Sequence, residues 1–134
     1  MSLAYKGGRE GGWAIWEVQQ TDEQGCSATA YRLDPSKGTL TKLHSISTVP
    51  ADYTVKSQIT CSELLIHPNG RFLFVVTSEH NSITSFAIDQ ATGRLSEAHR
   101  APTEPDVRPL CLDPTGRFMA AAGDKGRMRG VVER

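Results

Sequence analysis

Between residues 62 and 101 the chain is built of short apolar runs separated by polar turns, and the period of those runs is two rather than three or four. Residues 71–77 are almost continuously apolar, which predicts a strand covered on both faces. Residues 82–89 alternate instead, with Ile83, Ser85 and Ala87 facing one way and Thr84, Phe86 and Ile88 the other. Two shorter runs flank them, 63–66 and 94–99, and the more polar second one reads as an outer edge. The connecting turns carry the residues that tight backbone reversal needs, proline to preset φ and glycine to supply positive φ, as in His67-Pro68-Asn69-Gly70. Apolar spacing of three and four residues nowhere persists for three turns, so the fold class is all-β.

Two blocks of this pattern occur twice. Ala30-Tyr31-Arg32-Leu33-Asp34-Pro35-Ser36-Lys37-Gly38-Thr39-Leu40 returns as Ser85-Phe86-Ala87-Ile88-Asp89-Gln90-Ala91-Thr92-Gly93-Arg94-Leu95, an offset of 55 residues from Asp34 to Asp89. Leu65-Ile66-His67-Pro68-Asn69-Gly70-Arg71-Phe72 returns as Cys111-Leu112-Asp113-Pro114-Thr115-Gly116-Arg117-Phe118, an offset of 46 from His67 to Asp113. Repeats of this length with several strands each point to propeller blades. The reading is therefore a partial β-propeller of antiparallel four-stranded blades over residues 13–123. A complete blade spans 62–101, with an incomplete one before it, 13–48, lacking its first strand, and an incomplete one after it, 108–123. Residues 1–12 read as irregular and 124–134 as a basic tail. The longer of the two offsets is absorbed in residues 48–58, a connection between blades of the kind on which binding groups tend to sit.

Composition narrows the function classes. With 15 basic and 15 acidic side chains the net charge is zero, so the chain has no footprint for nucleic acid, and Lys125, Arg127, Arg129 and Arg134 read as a solvated end. No apolar run is long enough to span a bilayer and no leader pattern opens the chain, which sets the expectation of a cytoplasmic protein without a membrane partner. Cys26, Cys61 and Cys111 are odd in number, widely spaced and free of any Cys-x-x-Cys pair, so they read as small buried hydrophobes. No histidine or carboxylate set has metal-ligand spacing, and the glycines of 6–12 open no helix that would hold a phosphate, so no cofactor is expected.

The segments YRLDPSKGTLTKLHSISTVPADY, SELLIHPNGRFLFV, SITSFAIDQATGRLSEAHRAPT and RPLCLDPTGRFMAAA, taken in this order and spacing, resemble the lactonase family of seven-bladed β-propellers. That family includes bacterial 6-phosphogluconolactonases and fungal carboxymuconate cyclases, and the chain resembles an internal section of about two and a half blades. The resemblance implies a small anionic lactone or carboxylate as substrate.

Two catalytic positions follow from it. Glu63, in Cys61-Ser62-Glu63-Leu64, matches the glutamate that the family places at the start of an inner strand, and Arg108, in Val107-Arg108-Pro109-Leu110, matches the arginine of a Pro-Arg-His segment. Lactone chemistry needs a proton-transferring group and a stabiliser of developing negative charge, and a carboxylate with a guanidinium supplies both. Glu17, matching an Asn-Glu-Leu motif, and His80 are the expected substrate-binding residues. The chain also departs from the family. Thr77-Ser78-Glu79-His80 stands where Asn-Arg-Gly-His is usual, Pro109 replaces the histidine of Pro-Arg-His, and the upstream Gly-Pro-Arg-His has no counterpart in residues 6–12.

The residues alone leave blander readings open. Glu63 and Arg108 can serve as strand-start and blade-junction residues, His67 as a turn cap, and His44 and His99 as solvent-facing groups on outer strands. The chain as a whole can be a lactone-hydrolysing or lactone-forming enzyme, a non-catalytic β-repeat binding module, or an inactive truncated fragment. Sheets cut from a ring leave edges uncovered, which predicts self-association.

Overall fold

The computed structural model describes residues 3–8, 11–19, 26–34, 36–54, 61–78, 80–103, 105, 107, 110–122 and 128–132, and every regular element among them is a β-strand. The first sheet comprises β1 (Leu3–Gly8), β2 (Gly11–Gln19), β3 (Cys26–Asp34) and β4 (Thr39–Ser47). The central sheet comprises β5 (Cys61–Ile66), β6 (Phe72–Thr77), β7 (Ser82–Ile88) and β8 (Leu95–Pro102). The third comprises β9 (Leu110–Leu112), β10 (Phe118–Ala122) and β11 (Met128–Val132). Neighbours in each sheet are consecutive in the chain, and all pairings are antiparallel.

Two apolar seams join the sheets, and the strand alternation decides which residue enters which. Leu64, Leu73, Val75, Phe86, Ile88 and Leu95 pack from one face of the central sheet onto Ala28 and Ala30 of the first. Phe74, Val76 and Ile83 pack from its other face onto Val107, Leu110, Met119 and Ala121. The faces predicted for 82–89 are those observed, with Phe86 and Ile88 in one seam and Ile83 in the other. Leu73, Val75 and Phe86 are wholly excluded from solvent, and burial of side chains this size contributes about 1.5–3 kcal/mol each. The first strands draw together, β1 and β9 both approaching β5, while β4 approaches β8 on the outside. Consecutive antiparallel sheets stacked face to face with their first strands innermost are successive blades of a β-propeller.

The strand count of the end blades differs from the expectation. The first sheet is not missing its inner strand: Leu3–Gly8 pairs with β2 from Leu3↔Trp16 to Gly8↔Gly11. Gly7, Gly8, Gly11 and Gly12 depress local β propensity there, but strand formation follows ladder and packing context more than intrinsic preference. In the segment read as a basic tail, Met128–Val132 pairs with β10, from Phe118↔Val132 to Ala122↔Met128. Charge on an outer strand is compatible with an edge and hides the strand signal. Two further expectations are corrected. Cys111 is an exposed free thiol rather than a buried hydrophobe. His44 is not a solvent-facing group, because it pairs with Ala30 on the face turned to the central sheet, and its Nε2 is buried there without a partner among the described residues.

Candidate functional site

Antiparallel order gives each sheet two distinct ends. At one end lie the short turns β3–β4, β5–β6, β7–β8 and β9–β10. At the other lie the long connections between sheets and the β6–β7 turn.

The turn end is closed by its own side chains. Asp34 Oδ1 accepts from the backbone N–H of Ser36 at 3.0 Å and Lys37 at 3.2 Å, and from Ser36 Oγ at 2.6 Å. Asp89 Oδ1 accepts from the N–H of Ala91 at 2.9 Å and Thr92 at 2.8 Å. Asp113 accepts from Thr115 N–H at 3.1 Å, from the Thr115 hydroxyl, and from Phe118 N–H at 2.7 Å. Each carboxyl is thereby held below the ordinary carboxylate range, chiefly by the Ser36 hydroxyl for Asp34, the Thr92 amide for Asp89 and the Thr115 hydroxyl for Asp113. His67 takes the place of Asp113 one repeat earlier. The N–H of Asn69 donates to its Nδ1 at 3.1 Å, which leaves the ring proton on Nε2, and Nε2 donates to the Gly116 carbonyl of the next blade's turn at 2.7 Å. His67 therefore caps its turn, as expected, and also ties two blades together.

The loop end is organised by the connection that follows β4. The carbonyl of Thr48, a fully buried residue, accepts from Thr84 Oγ1 at 3.3 Å and from Arg100 Nη1 at 2.5 Å. Arg100 also pairs with Glu97 at 2.9 Å. This clamp seats the connection against the central sheet and brings Tyr53 edge-on to His80, ring centroids 4.6 Å apart at 88°. His80 Nδ1 lies 2.8 Å from Oγ of Ser82, which is 2% exposed, so the imidazole is gripped on two sides. The hydroxyl of Thr77, at the end of β6, is buried with no partner among the described residues.

Glu63 stands at the start of β5, half-buried. The register passes from Cys61↔Thr77 to Glu63↔Val76, so Ser62 is the extra residue of a β-bulge. Opposite Val76, Glu63 shares the face of the central sheet that meets the third sheet. Val107 and Leu110 are buried in that same seam. Arg108, between them in sequence, lies outside the described residues. Glu17 falls near the end of β2, opposite Ala28. The ends of β2 and β6 and the start of β5 all belong to the loop end, so Glu17, Glu63 and His80 occupy one end of the stack. Sequence reasoning missed Tyr53, Thr48, Ser82 and Arg100. The signal that could have found Tyr53 is the added length of 48–58, which marks the connection but not its contacts. Among the described residues no three histidine, cysteine or carboxylate side chains group as metal ligands.

Residues 20–134 match the family described as Lactonase, 7-bladed beta-propeller. The 6-phosphogluconolactonase of Pectobacterium carotovorum is 28% identical over 106 residues, covering 79% of this chain and 31% of that protein. That of Bacillus subtilis is 31% identical over 97 residues, covering 72% and 27%. Among solved structures, the periplasmic gluconolactonase of Pseudomonas aeruginosa superposes with a TM-score of 0.76 at 22% identity, over 99% of this chain and 35% of that one. A Bacteroides fragilis protein superposes at 0.78 and 16% identity, over 99% and 34%. The chain thus spans about a third of the length of the proteins it matches. With three stacked antiparallel sheets, their first strands at the hub, and a match over most of its length, the chain belongs to the lactonase family of seven-bladed β-propellers.

Proposed function

We propose that this section of propeller takes part in hydrolysing the lactone of an anionic sugar, as in the 6-phosphogluconolactonases to which it is similar. The observation that carries the reading is the position of Glu63: a half-buried carboxylate on the innermost strand of the central sheet, at the end where His80 and the long connections gather. Glu63 takes a proton from water as the water oxygen attacks the lactone carbonyl. The Arg108 guanidinium neutralises the oxyanion, and Glu63 returns the proton to the ring oxygen as the C–O bond breaks. His80 and Glu17 hold sugar hydroxyls at the rim. A cytoplasmic setting is part of the reading, supported by the free thiol of Cys111 and the absence of cysteine-pair spacing.

The test is proton release from 6-phosphogluconolactone, corrected for spontaneous hydrolysis, by the chain and by Glu63→Gln. Loss of a general base lowers the catalysed rate by about a hundredfold or more. Equal rates in the two proteins, or none above buffer in either, would overturn the proposal. A parallel arm with a carboxymuconate lactone reports whether the substrate class extends beyond sugars.

A further inference from the structure

The clamp on Thr48 reaches further than the connection it seats. Arg100 stands on β8, an edge strand of the central sheet, opposite Thr84 and therefore on the same face. Its guanidinium is fixed in two directions. Nε and Nη2 donate to the two carboxylate oxygens of Glu97 at 3.3 and 2.9 Å, while Nη1 donates to the Thr48 carbonyl. A planar fork serves a carboxylate and a backbone carbonyl at once, which a lysine ammonium does not do in fixed geometry.

The backbone beyond Thr48 has little freedom. The N–H of Val49, a buried residue, donates to Ser47 Oγ at 3.2 Å. A turn closed by the Tyr53 N–H donating to the Pro50 carbonyl at 3.0 Å then delivers the Tyr53 ring against His80. The circuit closes on one strand. Thr84 of β7 holds the start of the connection through the Thr48 carbonyl, and Ser82, two positions earlier on the same face of β7, holds the imidazole at which the connection arrives.

We propose that Arg100 is a positioning residue for the His80 imidazole, acting from the edge strand through Thr48 and Tyr53. The placement of the ring follows from these contacts, and what the ring holds rests on the lactone reading given above. There His80 holds a sugar hydroxyl, so Arg100 sets how tightly the substrate is bound rather than how fast its ring opens.

The direct readout is the His80 imidazole in an NMR spectrum, identified by its loss in His80→Gln, together with its nuclear Overhauser contact to the Tyr53 ring. Arg100→Gln should displace the His80 signals and abolish that contact, with circular dichroism reporting intact sheets. Glu97→Ala, at an exposed position, leaves the guanidinium without its carboxylate and should move the same signals in the same direction by less. In a Tyr53→Ala background, Arg100→Gln should add no further displacement. With 6-phosphogluconolactone, Arg100→Gln should raise KM about tenfold and leave kcat in place, as loss of one hydrogen bond to bound substrate does. Unmoved His80 signals in either variant overturn the proposal. So does a full Arg100→Gln displacement in the Tyr53→Ala background, or a fall in kcat at constant KM. A chain that turns over no lactone above buffer overturns the functional reading alone, because the His80 signals decide the positioning without it.

Discussion

At the turn end of the sheets the three turn aspartates find their partners within five residues, and the arrangement returns blade after blade: Asp34, Asp89 and Asp113 bind the amides of their own turns, and Gly38, Gly93 and Gly116 follow at positive φ. At the loop end the contacts that seat the connection are distant and do not repeat. Thr48 is held by Thr84 and Arg100, 36 and 52 residues away, Tyr53 abuts His80, and the Thr77 hydroxyl is unpartnered among the described residues. Local closure makes a structure that tolerates copying. Long-range closure makes each blade different, which is where a site can be specialised.

The contrast can be attacked first at the turn end. Alanine at Gly116 would place a Cβ 2.6 Å from His67 Nε2 and 2.8 Å from Cε1, at φ +70°. Backbone strain and loss of the blade-to-blade hydrogen bond together should lower stability by about 2–4 kcal/mol, read by urea denaturation. Gly38 has φ +64° but open space around it, so Gly38→Ala should cost only about 1–2 kcal/mol. Equal losses would show that the His67 tie contributes nothing. At the loop end, Thr77→Val removes a buried hydroxyl that has no partner among the described residues and keeps the shape, so stability should rise by about 1 kcal/mol. A fall would mean that the hydroxyl is satisfied by ordered water.

The smallest effect is in pH. The folded pKa values of Asp34, Asp89 and Asp113 are depressed, so their contribution is complete above the unfolded value of about 3.9 and is lost as pH falls through the folded values. Melting temperature should decline below about pH 4, and the decline should shrink in Asp89→Asn. The three groups are solvent-exposed, so high salt leaves these short hydrogen bonds in place while screening longer-range charge effects.

Most of the fold was legible in the residues because the turns and the seams obey local rules. The apolar run of β6, the alternation of β7 and the Asp-to-Gly turns each announce themselves within a few positions. β1 and β11 did not, since glycine and arginine weaken the strand pattern and both strands depend on a ladder to a neighbour. The site was less legible. The position of Glu63 at a strand start is a matter of sequence spacing, but the face it occupies depends on the Ser62 bulge, which shifts the parity of the strand. His44 looked like a surface residue because its strand is outermost, and only the register with Ala30 places it inward. The grip of Tyr53 and Ser82 on His80 joins a loop to a turn across a blade boundary, and no periodicity encodes such a meeting.

Because the central sheet is covered on both faces, the amides of β6 are sealed behind two seams and between two flanking strands. Their exchange with deuterated solvent requires both seams to part. Among the described residues the slowest protons therefore sit on Leu73 to Val76, and the rate at which they vanish measures the cohesion of the three blades as a unit.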